Sequence, residues 1–146
     1  MTFAPFDLTG KVAVITGGNS GIGLGMAHGI AQAGGDVCIW GTNAAKNSAA
    51  VEQLAVHGTR ISAQRCDVAD GDAVAAAFAA AIETHGRVDG CFANAGIGGR
   101  GVPFDQMPFD DWRRIMAVNL DGVYHTFRHA TAHMRRRAET GDPGGR

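Results

Sequence analysis

A chain of 146 residues has the length of one domain and can bury a hydrophobic core. Its formal charge of −1 offers no field to nucleic acid or an anionic membrane, and no apolar run approaches the length of a membrane span. Glycine supplies 22 residues, about twice the usual share, without the fixed period of collagen, so many tight connections are expected.

The first seven residues carry no basic region followed by an apolar core, so they do not read as a signal peptide. Cys38, Cys66 and Cys91 are odd in number and far apart. They read as reduced core thiols of a cytoplasmic protein, not as disulfides or metal ligands.

After a polar turn at residues 7–10, the first strand is expected at residues 11–16, where Val12, Ala13, Val14 and Ile15 form an unbroken apolar run. Such a run suits a strand buried on both faces, as in a parallel sheet. Thr16-Gly17-Gly18-Asn19-Ser20-Gly21-Ile22-Gly23 follows, and then a helix over residues 21–33 with Ile22, Met26 and Ile30 on one stripe. Strand, glycine turn and helix in that order aim helix N-terminal amides at a phosphate. Glycine supplies the backbone angles of the turn, close approach of a pyrophosphate and close packing of helix on sheet. The spacing Gly17-x-x-x-Gly21-x-Gly23 differs from the common G-x-G-x-x-G and lacks the lysine of a P-loop; the blander reading is a turn with no ligand. Gly25 and Gly29 weaken the helix unless its backbone lies close to the sheet or a cofactor.

Further along, a strand at residues 36–40 leads through Gly41-Thr42-Asn43 to a helix over residues 44–57. A third strand spans residues 60–65, with Cys66-Asp67-Val68-Ala69 as its exit and Asp70 as the N-cap of a helix running to residue 85. A fourth strand spans residues 88–93 and ends in Asn94-Ala95-Gly96. Residues 97–108 form a loop, residues 110–137 one long helix, and the remainder a loop. Asn119 falls mid-helix, where its side chain competes for backbone groups; that cost suggests a local bulge. His125, His129 and His133 repeat at helical spacing, and a solvated face is favoured over a metal site. Arg135-Arg136-Arg137 reads as charge complementing a helix C-terminus. Strands alternating with helices give an α/β, doubly wound parallel sheet of order 3-2-1-4, as one domain over residues 1–146.

The glycine turn after strand 1, Asp67-Val68 after strand 3, Asn94-Ala95-Gly96 after strand 4 and Asn119 on the last helix together closely resemble the short-chain dehydrogenase/reductases. The resemblance implies a Rossmann-like NAD(P)-binding domain and hydride transfer between the nicotinamide and a small alcohol or ketone. Gly17, Gly21 and Gly23 would form the pyrophosphate turn, lined by Asn19, Ser20 and Ile22. Asp67 would accept from the adenine amino group, with Val68 donating from its backbone. Asn94 and Gly96 would pack beside the ribose. Thr42, Asn43, Cys66, Ala95 and Val118 complete the implied cofactor contacts. Asn119 would be the catalytic asparagine that anchors a water in a proton relay.

An acidic residue at the end of strand 2 holds ribose hydroxyls in NAD-preferring enzymes; Gly41 stands there. The cofactor therefore reads as NAD or NADP, with a lean to NADP that Lys46 would reinforce. The family's catalytic Ser and its Tyr-x-x-x-Lys lie beyond this sequence. Tyr124, the single tyrosine, precedes Arg128, which cannot replace lysine in proton transfer, so Tyr124 is expected to pack. The missing half is expected from outside the chain, since strand 4 would otherwise be an open apolar edge. The alternatives left open are a non-catalytic dinucleotide-binding module and a fragment that forms a homo-oligomer through its last helix.

Overall fold

The computed structural model describes residues 4–145. The N-terminal reading at residues 1–3 and the last residue of the tail, 146, lie outside them. β1 (Val12–Thr16), β2 (Asp36–Gly41), β3 (Ile61–Arg65) and β4 (Gly90–Phe92) form one parallel sheet in the order β3-β2-β1-β4. The helices are α1 (Gly21–Gln32), α2 (Ala44–Leu54), α3 (Gly71–His85), α4 (Phe109–Met116) and α5 (Gly122–Glu139). This is the expected doubly wound architecture.

Successive side chains of a strand point to opposite faces, and the core divides accordingly. Ile15, Val37 and Ile39 pack with Ala27, Ala31 and Leu54 under α1 and α2. Val14, Cys38 and Trp40 pack with Val74, Phe78 and Ala130 under α3 and α5. All five residues of β1 are buried, which places it at the centre of both layers.

Several expectations are corrected. On α1 Met26 and Ile30 pack against the core as expected, but the fully buried residues are Gly23, Ala27 and Ala31, whose small size lets the helix lie close to the sheet. Ile22, the third residue of the expected stripe, is instead 76% exposed. Gly25 and Gly29 face open space, since a Cβ at either would meet nothing within 4 Å, so no close approach requires them. The row His125, His129 and His133 is half-buried against α3 and is not a solvated face. His129 stacks on Phe78 and His133 meets its edge, while His133 Nε2 accepts from the Val88 N–H at 3.2 Å. Burial, with Arg137 and Arg136 nearby, holds the His133 imidazole pKa below its ordinary value. Among the described residues no group of three or more His, Cys, Asp or Glu is placed to hold a metal. Tyr124, expected to pack, is instead 61% exposed, with His125 edge-on to its ring.

β4 is shorter than expected because side chains from α5 hold its approach. Val88 N–H donates to His133, and Val88 O accepts from Arg137 Nη1 at 2.8 Å. Asp89, 6% exposed, accepts from Val12 N–H at 3.0 Å, from Arg87 Nη2 at 2.6 Å and from Arg137 Nη2 at 3.0 Å. Burial pushes the Asp89 carboxyl pKa up, but these donors outweigh it and bring the pKa down to about 2. Arg137 thus does more than complement a helix end: it ties α5 to the amino ends of β1 and β4.

The long helix is divided. Between α4 and α5, residues Ala117–Asp121 widen into a single π turn centred on Asn119, the bulge its sequence position suggested. Among the described residues, no helix is long and apolar enough to cross a membrane.

Candidate functional site

The strand order reverses between β1 and β4, and open α/β sheets bind ligands outside the carboxyl ends of strands at such a point. A cleft of about 620 Å³ lies there, bounded by the turns that leave β1, β2, β3 and β4. Every expected cofactor-binding residue except Gly21 lines it.

The first wall is the turn after β1. Gly17 has φ +66° and Gly21 φ +53°, the left-handed region that glycine enters freely. Gly21 contributes this angle without touching the cleft. Gly23 is glycine for a different reason. A Cβ there would lie 2.6 Å from Asn94 Nδ2 and 2.8 Å from the Gly17 carbonyl carbon, so a side chain would force the turn and α1 apart. Ser20 occupies the N-cap of α1, yet its side chain makes no capping bond. The N-terminal amides of α1 therefore carry no side-chain cap, and they sit beside the cleft. At α2 and α3 the corresponding job is done: Asn43 Oδ1 accepts from Lys46 N at 2.9 Å, and Asp70 accepts from Asp72 N and Ala73 N.

Opposite stands the exit from β4. Asn94 Nδ2 donates to Thr16 O at 3.0 Å, and Ala95 N–H donates to Thr16 Oγ1 at 2.9 Å. These bonds fasten Asn94-Ala95-Gly96 to the end of β1. Beyond Gly96, Asn119 Oδ1 accepts from Ile97 N–H at 2.8 Å and Asn119 Nδ2 donates to Ile97 O at 3.0 Å. Asn119 thus pins the loop after β4 to the π turn; it is exposed and does not line the cleft, whereas Val118 does.

The third wall is the exit from β3. Asp67 is exposed; its Oδ1 accepts from Ala69 N–H at 3.0 Å. No hydrogen bond to its other oxygen is found among the described residues, and Asp67 lines the cleft. Burial, then the charges of Asp67 and Asp70, push the Cys66 thiol pKa up to about 11, which makes it an inert wall and no nucleophile. Thr42, Asn43 and Lys46 close the cleft at the end of β2, where Gly41 presents no side chain.

Two residues at the site were not anticipated from sequence, one lining the cleft and one behind it. Arg114 of α4 reaches the cleft near Val118 and brings a fixed positive charge. Asn47 stands behind Gly41 with 5% exposure, and its mid-helix position carried the same propensity cost that marked Asn119.

Comparison with known proteins agrees with this geometry. The family model described as short chain dehydrogenase matches residues 11–142. A 3-oxoacyl-[acyl-carrier-protein] reductase of Chlamydia pneumoniae is 35% identical over 127 residues, 87% of this chain and 51% of its own. A Yarrowia lipolytica protein named "Probable NADP-dependent mannitol dehydrogenase" is 34% identical over 126 residues, 86% of this chain and 45% of its own. Among solved structures, a 3-ketoacyl-(acyl-carrier-protein) reductase from Brucella melitensis complexed with NADH superposes with a TM-score of 0.86 and 32% identity. That match covers 92% of this chain and 55% of the other. The chain spans about half the length of the curated relatives it matches.

Proposed function

The chain belongs to the short-chain dehydrogenase/reductase family, and on that premise we propose that it is the cofactor-binding part of an NAD(P)-dependent oxidoreductase acting on alcohols or ketones. One observation carries the reading: at the switch point of the sheet α1 alone of the first three helices starts without a side-chain cap, behind a turn whose glycines let it close against Asn94 at the edge of the cleft.

The amides at residues 21–23 bind the diphosphate, favoured by the positive end of α1. The Asp67 oxygen not taken by Ala69 accepts from the adenine amino group, and the Val68 amide donates to the ring. Asn94 and Gly96, held on Thr16, support the ribose next to the nicotinamide. When bound, the nicotinamide supplies or accepts the hydride. Asn119, with both amide groups committed to Ile97, holds the π turn in place, and its catalytic part is to keep that turn's backbone positioned for a relay water. The Ser, Tyr and Lys that exchange the substrate proton come from residues outside this sequence.

The lean to NADP rests on Gly41, which removes the carboxylate that would repel a 2′-phosphate, and on Lys46 at the same end of the cleft. A cytoplasmic setting suits the free thiols Cys38, Cys66 and Cys91. Homo-oligomer formation is the second reading. It is favoured by Phe109, Trp112, Leu120, Tyr124 and Phe127 of α4, the π turn and α5, all at least 41% exposed. Light scattering after size exclusion reads it, and a monomer at all concentrations would reject it.

The functional reading is tested on the protein joined to whatever follows residue 146 in its coding sequence. Reduced-nicotinamide absorbance is followed across a broad panel of alcohols and ketones. Turnover with at least one substrate is expected, and no change with any would contradict the assignment.

A further inference from the structure

Resting on the dinucleotide reading above, a second inference concerns what replaces the side chain missing at Gly41. Position 41 is where a carboxylate would hold a ribose diol. Its φ lies outside the left-handed region, so no backbone angle demands glycine there. Space does: a Cβ would lie 2.6 Å from Asn47 Oδ1 and 2.8 Å from Asn19 Cγ. The volume over the end of β2 is already filled by two amides.

Their polarity is determined. Asn47 Nδ2 donates to Gly41 O at 3.0 Å and to Gln64 O at 3.1 Å. Backbone carbonyls only accept, so both protons of that amide are spent and Asn47 Oδ1 must point the other way. There Asn19 Nδ2 donates to it at 2.7 Å. Asn19 is thereby turned with its amino group on Asn47 and its oxygen toward the cleft that it lines, where its remaining contact is Ser20 Oγ at 3.5 Å. Two carbonyls at the ends of β2 and β3 thus set the direction of an amide in the glycine turn, through one buried residue.

We propose that Asn47 is a positioning residue that holds the Asn19 oxygen as the acceptor for an adenosine-ribose hydroxyl, in place of the carboxylate absent from position 41. A neutral amide oxygen accepts from one hydroxyl without repelling a phosphate on its neighbour, so this device admits either dinucleotide. Gly41 is then a space requirement of the relay.

The test is a double-mutant cycle on the full chain, with NAD+ and NADP+ binding followed by calorimetry and thermal unfolding recorded alongside. Asn19→Ala and Asn47→Ala are each expected to bind about five- to tenfold more weakly, the loss for one hydrogen bond. The double variant should bind no more weakly than Asn19→Ala. Gly41→Ala gives a second cycle should Asn47→Ala fail to fold: its methyl costs affinity only while Asn19 is present. Wild type should also prefer ADP to 2′,3′-dideoxy-ADP, a preference lost in Asn19→Ala. Wild-type affinity in the single variants, or penalties that simply add in the doubles, would overturn the relay alone. A wild type that binds neither dinucleotide would overturn the cofactor reading with it.

Discussion

The two ends of the same sheet are finished in opposite ways. At the amino ends of β1 and β4 polar groups are saturated: Asp89 is shared by the Val12 amide, Arg87 and Arg137, and Arg137 also takes Val88 O and Asp142. At the carboxyl ends they are left open: α1 has no side-chain cap, one oxygen of Asp67 is uncommitted, and the Asn19 oxygen has a single long contact. Water can satisfy these groups in the free protein, so what marks them is that they converge on one cleft, where a ligand can replace that water. Stability sits at the amino ends and recognition at the carboxyl ends, and substitutions at the two should separate these properties.

The largest effect is expected for Gly23→Val. Its Cβ would press on the Gly17 carbonyl and Asn94, so dinucleotide binding should disappear by calorimetry and stability should fall by about 1–3 kcal/mol from overpacking. Retained affinity would mean that the turn is not the diphosphate site.

Asp89→Ala should do the reverse. It leaves the Val12 amide without its acceptor and takes the shared carboxylate from two guanidinium groups that keep Asp142, and chemical denaturation should show a loss of about 3–5 kcal/mol while the folded fraction keeps its cofactor affinity. The same group gives the acid limit. Its pKa is lowered from 3.8 to about 2, so its contribution of about 2 kcal/mol is fully present above about pH 4. It is lost as pH falls from there to about 2, and in Asp89→Ala this part of the acid transition should vanish.

Asp67→Ala should weaken binding by about 1–3 kcal/mol, the range for a hydrogen bond to a charged group, and barely change unfolding. An effect confined to stability would make Asp67 a turn residue held only by Ala69.

What could be read beforehand follows the reach of each interaction. The turn after β1 was legible because left-handed angles and close approach leave glycine as the residue at Gly17, Gly21 and Gly23. The π turn was hinted at by the helix cost of Asn119, and the cap of α3 by Asp70. β4 was overestimated because the donors and acceptors that end it, His133 and Arg137, lie far along the chain on α5. Of the expected α1 stripe, Met26 and Ile30 reach the core but Ile22 lines the cleft, a distinction that hydrophobicity does not carry. Asn47 went unread because its partners Asn19, Gly41 and Gln64 come from three separate segments.

The smallest effect is at Gly25 and Gly29, where the outer face of α1 has room. Alanine at either should raise stability by about 0.5–1 kcal/mol through helix propensity and leave binding unchanged, as read by thermal unfolding and calorimetry.

The division between the two ends is tested most directly by recording backbone amide NMR shifts while NADP+ is titrated into the chain. The shifts should concentrate at residues 17–23, 41–43, 66–68 and 94–97, leaving Val12, Asp89 and the end of α5 unmoved. Shifts centred on β4 and α5, or none along the turn after β1, would contradict it.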